Sequence, residues 1–202
     1  MKKITVVFFV AALIISAAFN YGLAQGESIT KSVLRLHIPA NSNSYYDQSV
    51  KLKIRDRILK KYGGLLDSVK AVDEAEDIIL KNLSNIENDV NLWLMELGAD
   101  YKASVFITYS DFPTRKYESI SLPAGNYKAL KIVLGTGEGE NWWCVMFPPV
   151  CFVDGGVKHV NKKEYEMLKQ QLGKSAFEVV TSDQSHILLK FKIVEIVNNI
   201  IG

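Results

Sequence analysis

Cysteine, histidine and surplus charge are all scarce in this chain of 202 residues, which carries two cysteines, three histidines and five prolines. Lysine and arginine number 24 against 22 acids, and two of the 24 are Lys2 and Lys3, so residues after position 24 balance at 22 against 22. A body with no basic surplus gives no electrostatic footing for nucleic acid, which needs a positively charged face. The histidines, His37, His159 and His186, have no second ligand at i+4 and no HExxH pattern, so no metal site is expected. GxSxG is missing too, which removes the serine of an esterase-type elbow. With 48% hydrophobic and 23% charged residues, the composition is that of an ordinary globular domain, too apolar for a disordered chain.

Lys2 and Lys3 are followed by an uncharged run from Ile4 to Phe19, interrupted only by Thr5 and Ser16. The run is shorter than the ~20 residues of an untilted membrane span. Gly22 and Ala24 supply small residues at the −3 and −1 positions of a cleavage site. Residues 1–24 therefore read as a signal peptide, with an uncleaved anchor as the other reading, and residues 25–202 as one extracytoplasmic domain. Outside the cytoplasm, Cys144 and Cys151 are candidates for a disulfide. Two thiolates fall short of the four ligands of a structural zinc site.

The body alternates strand and helix signals without an internal repeat. Val33–Ile38 alternates Leu34, Leu36 and Ile38 against Val33, Arg35 and His37, a half-buried strand that turns Arg35 and His37 outward. Asn43 or Ser44 caps a helix whose stripe is Val50, Ile54, Ile58 and Tyr62, with Asp47 in its first turn and Gly63-Gly64 as its stop. A second helix is expected over Val72–Asn82. A third opens on the capping box Ser84-Asn85-Ile86-Glu87 and ends before Gly98. The period then changes to two over Tyr101–Tyr109, Tyr117–Leu122 and Tyr127–Leu134, the last two joined as a hairpin through Pro123-Ala124-Gly125-Asn126. A short helix follows Asn161, and Ser185–Ile200 reads as a terminal helix. The fold class is α+β: a single domain in which an N-terminal strand and helices precede a mostly antiparallel sheet and a C-terminal helix.

Gly135-Thr136-Gly137-Glu138-Gly139-Glu140 is glycine-rich, but it carries two acids where a phosphate would sit and does not open a helix, so it reads as a flexible turn. Glu138 and Glu140 lack an opposing carboxylate in sequence for glycoside hydrolysis. The densest feature is Asn141–Phe152, with Trp142, Trp143, Phe147 and Phe152 around Pro148-Pro149 and the two cysteines. Such aromatics serve as core or as a rigid recognition surface. In an extended segment Trp142 and Trp143 face opposite ways, one inward and one outward.

Leu36-His37-Ile38-Pro39-Ala40-Asn41-Ser42-Asn43-Ser44, with Asp47-Gln48 and Lys51–Asp56 after it, resembles the N-terminal signature of the stage II sporulation protein R family. Leu122–Leu130 is similar to its middle motif and Gly137–Phe152 to its most distinctive run. The resemblance implies a signalling protein, not an enzyme, that needs no cofactor. It would be made in the forespore and exported into the space between forespore and mother cell. There it would activate a membrane-embedded aspartic protease of the mother cell, which matures a sporulation sigma factor. On that reading Trp142, Trp143 and Phe147 supply partner-binding anchors, Arg35 and His37 a polar rim. The rival readings are a cell-envelope hydrolase, using Glu138, Glu140 or Cys144, and an extracytoplasmic small-ligand adaptor.

Overall fold

The computed structural model describes residues 2–117, 120–149 and 162–181. Its elements are α1 (Lys2–Lys31), β1 (Leu34–Pro39), α2 (Tyr45–Tyr62), a 3-10 turn (Gly63–Leu66), α3 (Val72–Glu96), β2 (Ala103–Phe112), β3 (Arg115–Tyr117), β4 (Ile120–Leu122), β5 (Gly125–Leu134), β6 (Asn141–Phe147) and α4 (Lys162–Thr181). Four strands form one sheet in the order β2-β5-β1-β6, and β3-β4 pair separately. Only β1 and β5 run parallel; β1-β6 and β2-β5 are antiparallel. This is an α+β domain with a mostly antiparallel mixed sheet and a helix at its C-terminal side.

One face of the sheet carries Leu34, Leu36, Ile38, Leu130 and Ile132, packed against Val50, Ile54 and Ile58 of α2 and Ile79, Ile86, Val90 and Leu94 of α3. The other carries Val33, Tyr127, Ala129 and Val145, covered by Ile29 at the end of α1, by Ile120 and Leu122 of β4, and by Leu168, Leu172 and Phe177 of α4. Burying each of these aliphatic side chains is worth about 1.5–3 kcal/mol. No helix among the described residues is long and apolar enough to cross a membrane.

α2 forms where the sequence places it. Ser44 is the N-cap, its hydroxyl accepting from the Asp47 amide at 3.1 Å, and the stripe from Val50 to Tyr62 is buried. Three expectations change. The helices expected over 72–82 and 84–97 are one continuous α3: neither Gly nor Pro interrupts 82–86, and the buried series Ala75, Ile79, Ile86, Val90, Leu94 stays in phase across the join. The hairpin through Pro123–Asn126 does not join Tyr117–Leu122 to Tyr127–Leu134. Instead β5 pairs with β2 over ten residues, and Arg115–Tyr117 pairs with Ile120–Leu122 as β3-β4. Third, Arg35 and His37 do not face water. They are 0% and 6% exposed, because β1 is an inner strand with both faces covered. The terminal helix expected over 185–200, with His159 and His186, lies outside the described residues.

Ser84 inside a helix has no capping role, so Ser84→Ala should be neutral or stabilise by about 0.5 kcal/mol through helix propensity, whereas Ser44→Ala should cost about 1 kcal/mol. Urea denaturation midpoints of the two variants check the pair.

Candidate functional site

Two loops that are far apart in sequence lock together at one end of the sheet. The turn after β1 supplies Ala40, Asn41, Ser42 and Asn43, and the glycine-rich turn before β6 supplies residues 135–140. Gly139 N donates to Ala40 O at 2.9 Å and Ala40 N to Glu140 O at 3.4 Å, which extends the β1-β6 ladder beyond the strands. Asn41 Oδ1 accepts from Thr136 N at 3.0 Å, and the Asn41 carbonyl accepts from Thr136 Oγ1 at 2.9 Å. Asn43 Oδ1 accepts from Glu140 N at 2.7 Å, and Lys51 Nζ from α2 donates to Glu140 O at 2.9 Å. The turn expected to be flexible is thus pinned on both sides. Its glycines are required by that approach. A Cβ on Gly135, whose φ is +56°, would sit 2.1 Å from Asn41 Oδ1, and one on Gly139 would sit 2.3 Å from the Ser42 carbonyl oxygen.

Beneath the interlock Asp47 gathers the first turn. Its Oδ2 accepts from Ser42 Oγ at 2.5 Å and Asn41 Nδ2 at 3.1 Å, its Oδ1 from Tyr101 OH at 2.7 Å. Burial pushes the carboxyl up, but the hydrogen bonds from Ser42, Tyr101, Asn41 and Ser44 outweigh it and hold the group below the usual range. Burial, and then the Asp47 carboxylate, push the Tyr101 phenol up. In the sequence Asp47 stands as an acid favoured by the helix dipole and as part of the N-terminal signature. Its role as a hub depends on Tyr101, 54 positions away, which no local pattern announces.

β6 carries the aromatic residues out of this interlock. Trp142 and Trp143 do face opposite sides of the sheet, yet both are half-buried rather than one in and one out. Trp142 lies against the α2-α3 face with the Arg55 guanidinium 4.2 Å above its ring. Trp143 stacks on His37 at 3.9 Å and meets the Phe112 edge at 4.6 Å. Phe147 is fully buried in the α2-α3 core, so it offers no surface anchor. Arg35 and His37, expected as a polar rim, form the underside of the same strand pair. His37 Nε2 lies 2.7 Å from Asn141 Oδ1. Burial lowers the His37 pKa to about 4, against a smaller opposing effect of the Asn141 contact. Neutral His37 then donates from Nε2 and stacks as an uncharged ring.

Arg35 is enclosed by rings rather than by acids: Phe112 lies 4.2 Å, Tyr127 4.8 Å and Tyr117 5.7 Å from its guanidinium carbon. Nε donates to Cys144 O at 2.8 Å and Nη2 to Tyr117 OH at 2.6 Å, while Nη1 has no hydrogen-bond partner among the described residues. Burial lowers its pKa, with the neighbouring Tyr117 opposing. The bridge expected between Cys144 and Cys151 has one end in view: Cys144 is 3% exposed in β6, and Cys151 lies outside the described residues. Glu138 and Glu140 are exposed. Among the described residues no group of three His, Cys, Asp or Glu side chains is arranged to hold a metal ion. A cleft of about 340 Å³ opens between α2 and α3 around Tyr62, Asn85 and the Lys61–Asp89 ion pair, and none of the candidate residues lines it.

The relatives place the chain among the proteins of bacterial sporulation. Residues 30–157 match the family described as Stage II sporulation protein R, and the chain belongs to that family. It is 35% identical over 186 residues to Stage II sporulation protein R of Bacillus subtilis (strain 168), covering 86% of this chain and 83% of that relative. No solved structure matches it. The interlocked loops, β1, the β5 motif and the start of β6 all lie inside the matched span.

Gly139→Ala and Gly135→Ala should each destabilise by about 2 kcal/mol, the cost of forcing a methyl group into a packed site. Gly63→Ala, where nothing lies within 4 Å, should be near neutral. Chemical denaturation of the three variants separates these outcomes.

His37 sets a second expectation. Its pKa is lower folded than unfolded, so the unfolded chain takes up the proton first as pH falls. The contribution is fully present above the unfolded value of 6.5 and is lost between there and about 4. The loss should be on the order of 2–3 kcal/mol. Unfolding free energies of wild type and His37→Gln at pH 7.5 and 4.5 measure it: the acid-induced drop should be smaller in the variant by that amount.

Proposed function

We propose that this protein is an exported sporulation signal that activates a membrane-embedded aspartic protease of the mother cell and so triggers maturation of a sigma factor. Membership of the stage II sporulation protein R family is the observation that carries the reading. The charged and then apolar leader over residues 1–24 supports export, from the forespore into the intermembrane space. The protein acts by binding rather than by chemistry. Its binding free energy favours the active arrangement of the protease, and it shifts that equilibrium only by its differential affinity for the two states.

Burial narrows the recognition surface. Phe147, Arg35 and His37 are scaffold, and the half-exposed edges of Trp142 and Trp143 are what a partner meets on β6. A tryptophan already fixed by Arg55 or by His37 loses little further freedom on binding, which suits an anchor. Reconstitution of the protease, its pro-sigma-factor substrate and this protein in one membrane system tests the reading. Processing should require the protein, and Trp142→Ala should lower it at least tenfold while unfolding as cooperatively as wild type. Processing that proceeds equally without the protein would refute the activation. Wild-type processing by folded Trp142→Ala and Trp143→Ala would refute the anchors alone.

A further inference from the structure

The outer edge of β2 is built to pair with another strand. In an antiparallel ladder, alternate residues direct both backbone groups to the same neighbour. Ala103 directs its groups away from β5, since its N–H donates to Asn91 Oδ1 at 2.8 Å and its carbonyl accepts from Asn91 Nδ2 at 3.2 Å. The Asn91 carboxamide thus occupies the place of a peptide group in a next strand. By the same period Val105, Ile107 and Tyr109 direct their N–H and C=O outward, and among the described residues the sheet ends there.

Edges of this kind are normally guarded by lysine, proline, a bulge or a cover. Among the described residues β2 has none of these guards past Ala103. Its ten residues contain one charge, Asp111, and no proline, and its pairing with β5 runs from Ala103 to Phe112 without a register shift. Phe106 is 39% and Tyr109 62% exposed.

We propose that this edge pairs with its own copy, antiparallel and two-fold symmetric about Ile107, to give a sheet continuous through two protomers. The register puts Ile107 opposite Ile107, Val105 opposite Tyr109 and Phe106 opposite Thr108, with no charge facing a like charge. It also accounts for the length. Asn91 closes the edge at Ala103, opposite the partner's Asp111, so the shared ladder runs from 105 to 109 with about six hydrogen bonds. An uncharged edge suits a copy of itself better than a charged segment, which would find no counter-ion along 103–110.

Sedimentation of the full chain in detergent micelles from about 10 to about 300 µM, the range for a small interface, should show a monomer passing to a dimer. Phe106→Lys with Thr108→Lys should stay monomeric, as should Phe106→Glu with Thr108→Glu. Mixing these two proteins should restore the dimer, because each Lys then faces a Glu. Amide exchange of the wild type gives a reading that depends on no variant: the Val105, Ile107 and Tyr109 amides should exchange at least tenfold more slowly at the high concentration. A wild type that stays monomeric, exchange at these amides that does not change with concentration, a lysine pair that dimerises like wild type, or a mixture that fails to associate would each overturn the proposal.

Discussion

The docking of the turn after β1 onto the glycine turn before β6 is the contact on which the rest of the architecture depends. β1 and β6 are separated by about half the chain, and their antiparallel pairing has no short loop to enforce register. The interlock does that work at the open end, with Gly139 against Ala40 and Asn41 and Asn43 as side-chain clamps. It is in turn held by Asp47, which ties Ser42 and Asn41 to the first turn of α2 and, through Tyr101, to the chain entering β2. One buried carboxylate connects three segments, which is the situation in which charge-assisted hydrogen bonds offset the cost of desolvation.

The opposite face of the sheet solves a harder problem. Among the described residues Arg35 is a cation with no carboxylate in ion-pair reach, surrounded by Phe112, Tyr117 and Tyr127. Isolated charge is expensive in a low-dielectric interior. Ring faces return part of that cost, at about 2 kcal/mol for a desolvated cation–π contact. The Cys144 carbonyl and the Tyr117 hydroxyl satisfy two of the donors. Tyr117 also links this centre to Trp143 by donating to its carbonyl at 3.4 Å. The guanidinium therefore positions the backbone on which the tryptophans sit, and changes at Arg35 should reach Trp143 without touching it.

Much of this was legible where local rules govern. Ser44, Asp47 and the stripe Val50, Ile54, Ile58, Tyr62 specify α2 by capping and periodicity alone, and α2 forms as those rules require. Rules fail where tertiary context overrides them. Ser84 to Glu87 satisfies a capping pattern, yet the helix runs through it because apolar phase and the lack of a breaker outweigh a motif that needs a non-helical first residue. Alternation in β1 suggested one wet face, but strand order, invisible in the residues, puts β1 inside. Among the candidate site residues, the division of Trp142 from Trp143 followed from the pleat. The burial of Phe147, Arg35 and His37 followed from layers that only the fold defines. The glycine turn read as loose because the partners that hold it come from 95 positions away.

This distribution bears on what the family's motifs mean. Most of their polar residues, Asn41, Ser42, Asn43, Asp47 and Lys51, spend their hydrogen bonds inside the domain, and the glycines make room for those bonds. The motifs thus mark the scaffold first. What protrudes from that scaffold is the flanks of Trp142 and Trp143, and Tyr45, 93% exposed beside the N-cap of α2. An interlock that fixes these positions relative to one another presents a preorganised surface, and preorganisation lowers the ordering cost of association. Rigidity at the loop pair, rather than any reactive group, is therefore the property that a binding role would demand of this sequence.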